Sequence, residues 1–298
     1  MLHKRRDFIK TTSAAIAITA VTGKLLGCKS SSMLGTSDGT LKEFGLQLYT
    51  LRDVIPADPK GILRQVAEMG YKQIESYPHD KLGIYWGMKN TEFKKYVNDL
   101  GMQLISSHSK IDNDFELQAA EAAEIGMKYL IAGSVNNEKT MDRDGYKKTA
   151  ELFNKKGEIC KSHGLRFAYH NHDQSFAQRP DGFIPQQVLM DSTDPSLVDF
   201  EMDIYWVVTG GQDPITWLQK YPNRFRLGHV KDRKKNTPVS EREVSVNVGE
   251  GSIDFKNILA VAKKNGMQYY IIEQEKYEGT TALAAAKADA EYLKKLRF

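Results

Sequence analysis

The segment Phe167-Ala168-Tyr169-His170-Asn171-His172-Asp173 carries the densest chemistry in the chain. Leu165 to Tyr169 reads as a buried strand that delivers two histidines at its end. Side chains alternate across a strand, so His170 and His172 point the same way if the strand persists. Two imidazoles with an aspartate just after them can begin a metal site or a proton-transfer site. The same fragment would also serve as a pair of hydrogen-bonded surface histidines. The rest of the chain decides between these.

A repeating unit positions the segment. From Phe44 onward, short apolar runs alternate with amphipathic stretches. The expected strands are Phe44–Tyr49, Tyr71–Glu75, Met102–Ser107, Lys128–Ile131, Leu165–His170, Leu197–Asp203, Phe225–His229 and Tyr270–Glu273. The expected helices are Pro59–Met69, Asn90–Leu100, Asn113–Ile125, Asp144–His163, Phe183–Met190, Asp213–Tyr221, Ile253–Lys264 and Thr281–Leu296. Gly70, Gly101, Gly126, Gly164 and Gly266 each stand between a helix and the next strand, a helix stop signal. Strands alternating with helices imply a parallel sheet, and eight units imply its closure into a single-domain (β/α)8 TIM barrel over residues 43–298. An open doubly wound sheet is the rival, but no glycine-rich phosphate fingerprint follows the first strand.

In such a barrel the strand ends converge at one rim. Read off in order, they are Gln47 and Tyr49 with Arg52 just beyond, Glu75, His108, Ser134, His170 and His172, Asp203, His229 and Lys231, and Glu273 and Glu275. One such residue alone would be structural; the convergence is what points to a site. Strands five to eight end in His170, Asp203, His229 and Glu273, a donor set suited to one divalent ion: Mn²⁺, Co²⁺ or Zn²⁺, with Mg²⁺ also admissible. An ion there would polarise a carbonyl or a vicinal diol. Glu201, two residues before Asp203 on the same face, reads as a lower-layer or supporting group. Trp206 and Trp86 are candidates for an aromatic wall. The loop from Asp232 to Ser252 reads as a lid, with its Arg242 facing water.

Six pieces of the chain resemble the xylose isomerase-like barrel superfamily, in particular its sugar phosphate isomerase/epimerase-type proteins. They are Gly45-Leu46-Gln47-Leu48-Tyr49-Thr50-Leu51-Arg52, Tyr169-His170-Asn171-His172, Asp203-Ile204-Tyr205-Trp206, His229-Val230-Lys231-Asp232, Val248-Gly249-Glu250-Gly251-Ser252-Ile253-Asp254-Phe255 and Ile272-Glu273-Gln274-Glu275. The resemblance implies one divalent ion held by Glu, Asp, His and Glu on strands five to eight. Asp203, His229 and Glu273 match that pattern, whereas His170 stands where most relatives carry Glu. In the superfamily's ketose epimerases the two Glu ligands also act as acid and base. With His170 here, Glu273 acts alone, or His108, His172 or Lys231 moves protons, Lys231 with a pKa lowered by a nearby cation.

The expected function is therefore a metal-dependent isomerase or epimerase. It would abstract a proton next to the carbonyl of a small carbohydrate, which Gln47, Tyr49, Arg52, Glu75, Trp206 and Glu275 would bind. A 3-keto-glycoside lyase or hydratase is the alternative, and a non-catalytic, lipid-anchored sugar-binding barrel a second. Two copies of such a barrel can pair as a homodimer.

The amino terminus reads as an address. Lys4-Arg5-Arg6-Asp7-Phe8-Ile9-Lys10 is a twin-arginine export pattern, followed by a small, apolar run. Leu25-Leu26-Gly27-Cys28 resembles a lipobox, so residues 1–27 are expected to be removed and Cys28 to carry a lipid. Residues 28–42 read as a flexible tether, and the expected location is periplasmic. The 298-residue chain has a formal net charge of +4, but residues 1–27 hold five basic residues and one acid, so the mature chain is neutral. No basic patch remains for nucleic acid, and the only membrane contact expected is the lipid. Cys160 would be the one remaining cysteine, which excludes an internal disulfide.

Overall fold

A computed structural model describes residues 39–111 and 114–298. The expected export signal, Cys28 and the tether up to residue 38 lie outside the described residues. The strands are β1 (Gly45–Gln47), β2 (Gln73–Ser76), β3 (Gln103–Ser109), β4 (Tyr129–Ala132), β5 (Arg166–His170), β6 (Val198–Asp203), β7 (Phe225–Val230), β8 (Asp232–Arg233), β9 (Ser245–Val246) and β10 (Tyr269–Ile272). The helices are α1 (Pro59–Glu68), α2 (Asn90–Asp99), α3 (Phe115–Glu124), α4 (Arg143–Ser162), α5 (Asp173–Phe176), α6 (Pro185–Ser192), α7 (Ile204–Thr209), α8 (Pro214–Lys220), α9 (Phe255–Lys264) and α10 (Ala282–Lys295). Strands β1 to β7 and β10 close into a barrel in sequence order, every pair parallel. The chain is thus the single-domain (β/α)8 barrel its pattern implied.

Local chemistry explains the alternation. Asp58, Asp142, Asp213, Asp254 and Thr281 each cap a helix by accepting a hydrogen bond from a first-turn amide. Proline occupies the first turn of α1, α6 and α8, where its missing N–H costs nothing. All five glycines singled out as stops take positive φ, from 74° to 97°, which residues with a side chain rarely adopt.

Four features were not in the expected pattern. The first strand stops at Gln47, and Leu48–Leu51 winds into a 3-10 turn that carries Tyr49 to the surface. Short helices α5 and α7 follow β5 and β6 at once. The segment after β7 is an antiparallel β8–β9 hairpin rather than an open loop. Its base is pinned by Asp232, whose carboxylate accepts from the amides of Arg233, Gly249, Gly251 and Ile253 at 2.8–3.1 Å.

The main apolar core lies between barrel and helices. A separate cluster of Tyr129, Ile131, Ala168, Leu227 and Ile271 fills the barrel interior. Two register shifts interrupt the barrel ladder, one just before Glu75 and one just before Glu201. Such bulges re-aim side chains, and here they bring two buried carboxylates inside the barrel.

Candidate active site

Side chains two residues apart on one strand share a face, so Glu201 and Asp203 on β6 enter the barrel one above the other. His229 at the end of β7 and Lys231 just beyond it do the same. His229 is fully buried and links two layers. Below, its Nε2 lies 2.7 Å from Glu75 Oε1 and 3.2 Å from Glu201 Oε2. Above, its Nδ1 lies 3.3 Å from Glu273 Oε2 and 3.9 Å from Asp203 Oδ2.

The upper layer brings Asp203, His229 and Glu273 together, their ligand atoms within 4.8 Å of one another. Asp203 is held tightly. Its Oδ1 accepts from the Trp206 amide at 3.0 Å, and Asn171 bridges to its backbone N–H and C=O at 3.1 and 3.2 Å. Its Oδ2 is buried without a hydrogen-bond partner. A buried carboxylate oxygen with no hydrogen bond, facing an imidazole and a second carboxylate, is what a cation would satisfy.

The fourth expected ligand, His170, falls in a neighbouring group with His108, Glu201 and His229, at the same spacing. Glu201 Oε2 lies 3.0 Å from His170 Nδ1 and 3.2 Å from His108 Nε2. Gly133 makes room for this packing, since a Cβ there would lie 2.7 Å from His108 Nδ1. His172 is not on the strand: it caps α5, yet its ring still lies 5.0 Å from that of His170.

Charge points the same way as geometry. Five carboxylates (Glu75, Glu201, Asp203, Glu273 and Glu275) line this column; the first two pair with histidines, and among the described residues Lys231 is the lysine or arginine that ion-pairs with the other three. Lys231 bonds Glu275 and lies 3.5 Å from Glu273 and 3.9 Å from Asp203. Burial works against its charge, but these carboxylates outweigh it and raise its pKa. Burial pushes Asp203 up to about 7, against the pull of Lys231 and His229. Burial also opposes the charge on Glu273, yet Lys231 and His229 hold its carboxyl well below the usual range. His172 is lowered to about 4 by burial and Lys231, so it is neutral at physiological pH. His108 rises to about 9, because its bonds to Glu201 and Glu75 overcome burial.

A cavity of about 710 Å³ opens above this column. His108, His170, His172, Glu273, Glu275 and Tyr49 all face it. Other residues expected on its wall are employed elsewhere. Gln47 and Glu75 are fully buried and bonded to each other at 2.7 Å, and Ser106 donates to Glu75 at 2.6 Å. Both are placed beneath His229, which Glu75 meets at 2.7 Å. Arg52 stacks on Tyr49 and donates to the Glu275 carbonyl at 2.8 Å, which ties down the segment that follows the last strand. Trp206 is buried, its ring covered by Lys231 and Arg242. Trp86 is buried and donates to Ser76 at 3.1 Å. Arg242, expected in water, forms a two-pronged pair with Asp173 at 2.6 Å.

The fold is a closed parallel barrel that gathers buried imidazoles and carboxylates at its carboxyl rim, a donor set that could hold a divalent ion. The chain belongs to the xylose isomerase-like TIM barrel family, whose sequence profile matches residues 63–296. It is 29% identical over 154 residues to inosose dehydratase of Clostridium perfringens (strain 13 / Type A), covering 48% of this chain and 51% of that protein. Against inosose dehydratase of Geobacillus kaustophilus it is 23% identical over 274 residues, covering 79% and 86%. The chain spans about half the length of the first of these curated relatives. Among solved structures, a sugar phosphate isomerase/epimerase from Parabacteroides distasonis ATCC 8503 superposes with a TM-score of 0.73 at 30% identity, covering 86% of this chain and 98% of that one. The IOLI protein with a bound zinc atom shares the fold, with a TM-score of 0.67 at 17% identity over 84% and 95% of the two chains. The buried histidine and carboxylate cluster can hold a divalent metal ion.

Proposed function

We propose that the chain is a divalent-metal-dependent enzyme that abstracts the proton next to the carbonyl of a sugar or sugar derivative. The ion is Mn²⁺, Co²⁺ or Zn²⁺, with Mg²⁺ admissible. Asp203, His229 and Glu273 would hold it, with His170 as the fourth donor through its Nε2. When bound, it supplies Lewis-acid polarisation of the carbonyl. The observation that carries this reading is the buried Asp203 Oδ2, without a hydrogen-bond partner beside His229 and Glu273, next to a cavity large enough for a sugar.

The chain's own residues divide the rest of the work. His172, neutral and facing the cavity, accepts the proton. Glu273 is ionised and is the second candidate acceptor. Lys231 stays charged and buried, and its field favours negative charge developing on a substrate oxygen. Return of the proton to the neighbouring carbon gives isomerisation, and return to the opposite face gives epimerisation.

A second reading is elimination of a β-leaving group after the same first step. It is favoured by His170, which stands in place of one of the paired carboxylates an epimerase needs, and by the inosose dehydratases among the relatives. The test is metal-loaded protein in D₂O with ketoses, inososes and 3-keto-glycosides, followed by NMR. Deuterium at the carbon beside the carbonyl is expected. An isomeric product supports the first reading and an unsaturated product the second. Metal-loaded protein that exchanges no proton in any of these compounds removes both. We also infer twin-arginine export and lipid attachment at Cys28, which mass spectrometry of the mature amino terminus would test.

A further inference from the structure

A second cavity, of about 520 Å³, adjoins the first. The two share Ser134 and His172, so they meet at one wall. Each lies within the roughly 300–1,000 Å³ typical of an occupied ligand pocket. A single sugar ring would fit within the first cavity, leaving the second beside it.

The lining of the second cavity indicates what it can hold. Asn137, Thr140 and Gln174 offer amides and a hydroxyl, groups that both donate and accept. Arg242 also borders it, but its charge is matched by Asp173 at 2.6 Å. No anion is needed to balance it. The floor is rigid. The Glu138 carboxylate accepts from Tyr169 at 3.0 Å and Ser175 at 2.5 Å, and its carbonyl accepts from Tyr146 at 2.8 Å. Asn137 turns the chain with a φ of 58°, and its carbonyl accepts from the amides of Thr140 and Met141, both at 3.0 Å. Asn137 and Thr140 are thus held on a wound turn. Lys139, also on the border, is exposed.

We propose that this cavity is a subsite for an uncharged, hydroxyl-rich unit: the neighbouring sugar of a glycoside whose reacting ring occupies the first cavity. The inference rests on the sugar reading above and narrows its substrate class to disaccharides or larger glycosides. His172 stands on the shared wall, between the two rings.

The test is calorimetric titration of metal-loaded protein with 3-ketoglucose, 3-ketotrehalose, 3-ketocellobiose and glucose 6-phosphate. At least one keto-disaccharide is expected to bind tenfold or more tightly than 3-ketoglucose. Thr140→Trp, which fills the subsite, should erase that advantage and leave 3-ketoglucose within twofold. Gln174→Ala should lower it several-fold, and serves alone if the tryptophan variant does not fold. No disaccharide advantage, or one that survives both substitutions, overturns the subsite and leaves the sugar reading intact. An advantage found only for glucose 6-phosphate also overturns it, in favour of a phosphate pocket. Failure of every keto sugar to bind would remove the sugar reading and the subsite with it.

Discussion

Glu201 Oε2 lies 3.0 Å from His170 Nδ1, and the two residues are register partners across β5 and β6. The same oxygen lies 3.2 Å from His229 Nε2. With His108 Nε2 also at 3.2 Å, one buried carboxylate oxygen thus faces a nitrogen on each of three imidazoles, two of them proposed ligands. Under the proposed metal reading, that contact would turn the opposite nitrogen of each ligand, His170 Nε2 and His229 Nδ1, toward the ion. The register shift just before Glu201 serves this contact.

Glu201→Gln should therefore weaken metal affinity about 10–100-fold without abolishing it, the usual cost of losing a group that orients a ligand. Competition titration against a chelating dye measures this. Unchanged affinity would mean that Glu201 only packs; complete loss would make it a ligand.

Glu273→Gln should lower turnover by about 10²–10⁴-fold, because one substitution removes both a donor to the proposed ion and the second candidate proton acceptor. Circular dichroism should show the fold retained. Normal turnover would exclude Glu273 from the chemistry.

Lys231→Met removes the cation among Glu273, Asp203 and Glu275. Breaking a buried pair from one side costs about 3–5 kcal/mol. Urea unfolding should show that loss in metal-free protein, with part of it restored by saturating Mn²⁺. Equal stability of variant and parent without metal would contradict the ion-pair account.

Asp289 on α10 gives a pH dependence away from the site. Its Oδ1 accepts from the Val248 amide at 2.7 Å, but its Oδ2 is buried and unpaired. Burial raises its pKa to about 7, with Asp232 and Glu250 adding to the rise. Between about pH 4 and 7 the folded state holds a proton the unfolded chain has released, so stability falls as pH rises through that window. Asp289→Asn should be more stable than the parent at pH 8 and equal to it at pH 4, by urea midpoints. An asparagine variant less stable at pH 8 would refute this.

Much of this was legible in the sequence. The eight strands follow from apolar runs separated by caps and glycine stops, which are local signals. Asp203, His229 and Glu273 converge because each ends a strand, and strand ends share a rim. Glu201 could be placed in a lower layer by its spacing from Asp203, but not against three imidazoles. That contact depends on register shifts between strands, which leave no mark in one strand's pattern. Gln47, Glu75 and Arg52 illustrate the same limit: a polar strand end can face a ligand or buttress its neighbours, and only packing decides. Asn171 and the Arg242–Asp173 pair depend on contacts between distant segments. The raised pKa of Lys231 reflects three carboxylates from two other strands.

Diffraction from crystals soaked in Mn²⁺, collected where manganese scatters anomalously, tests the central claim most directly. The account predicts one peak within bonding distance of Asp203, His229 Nδ1, Glu273 and His170 Nε2, with Glu201 behind the ligands and not touching the ion. A peak enclosed by His108, His170 and Glu201 instead, or none in the barrel, would contradict it.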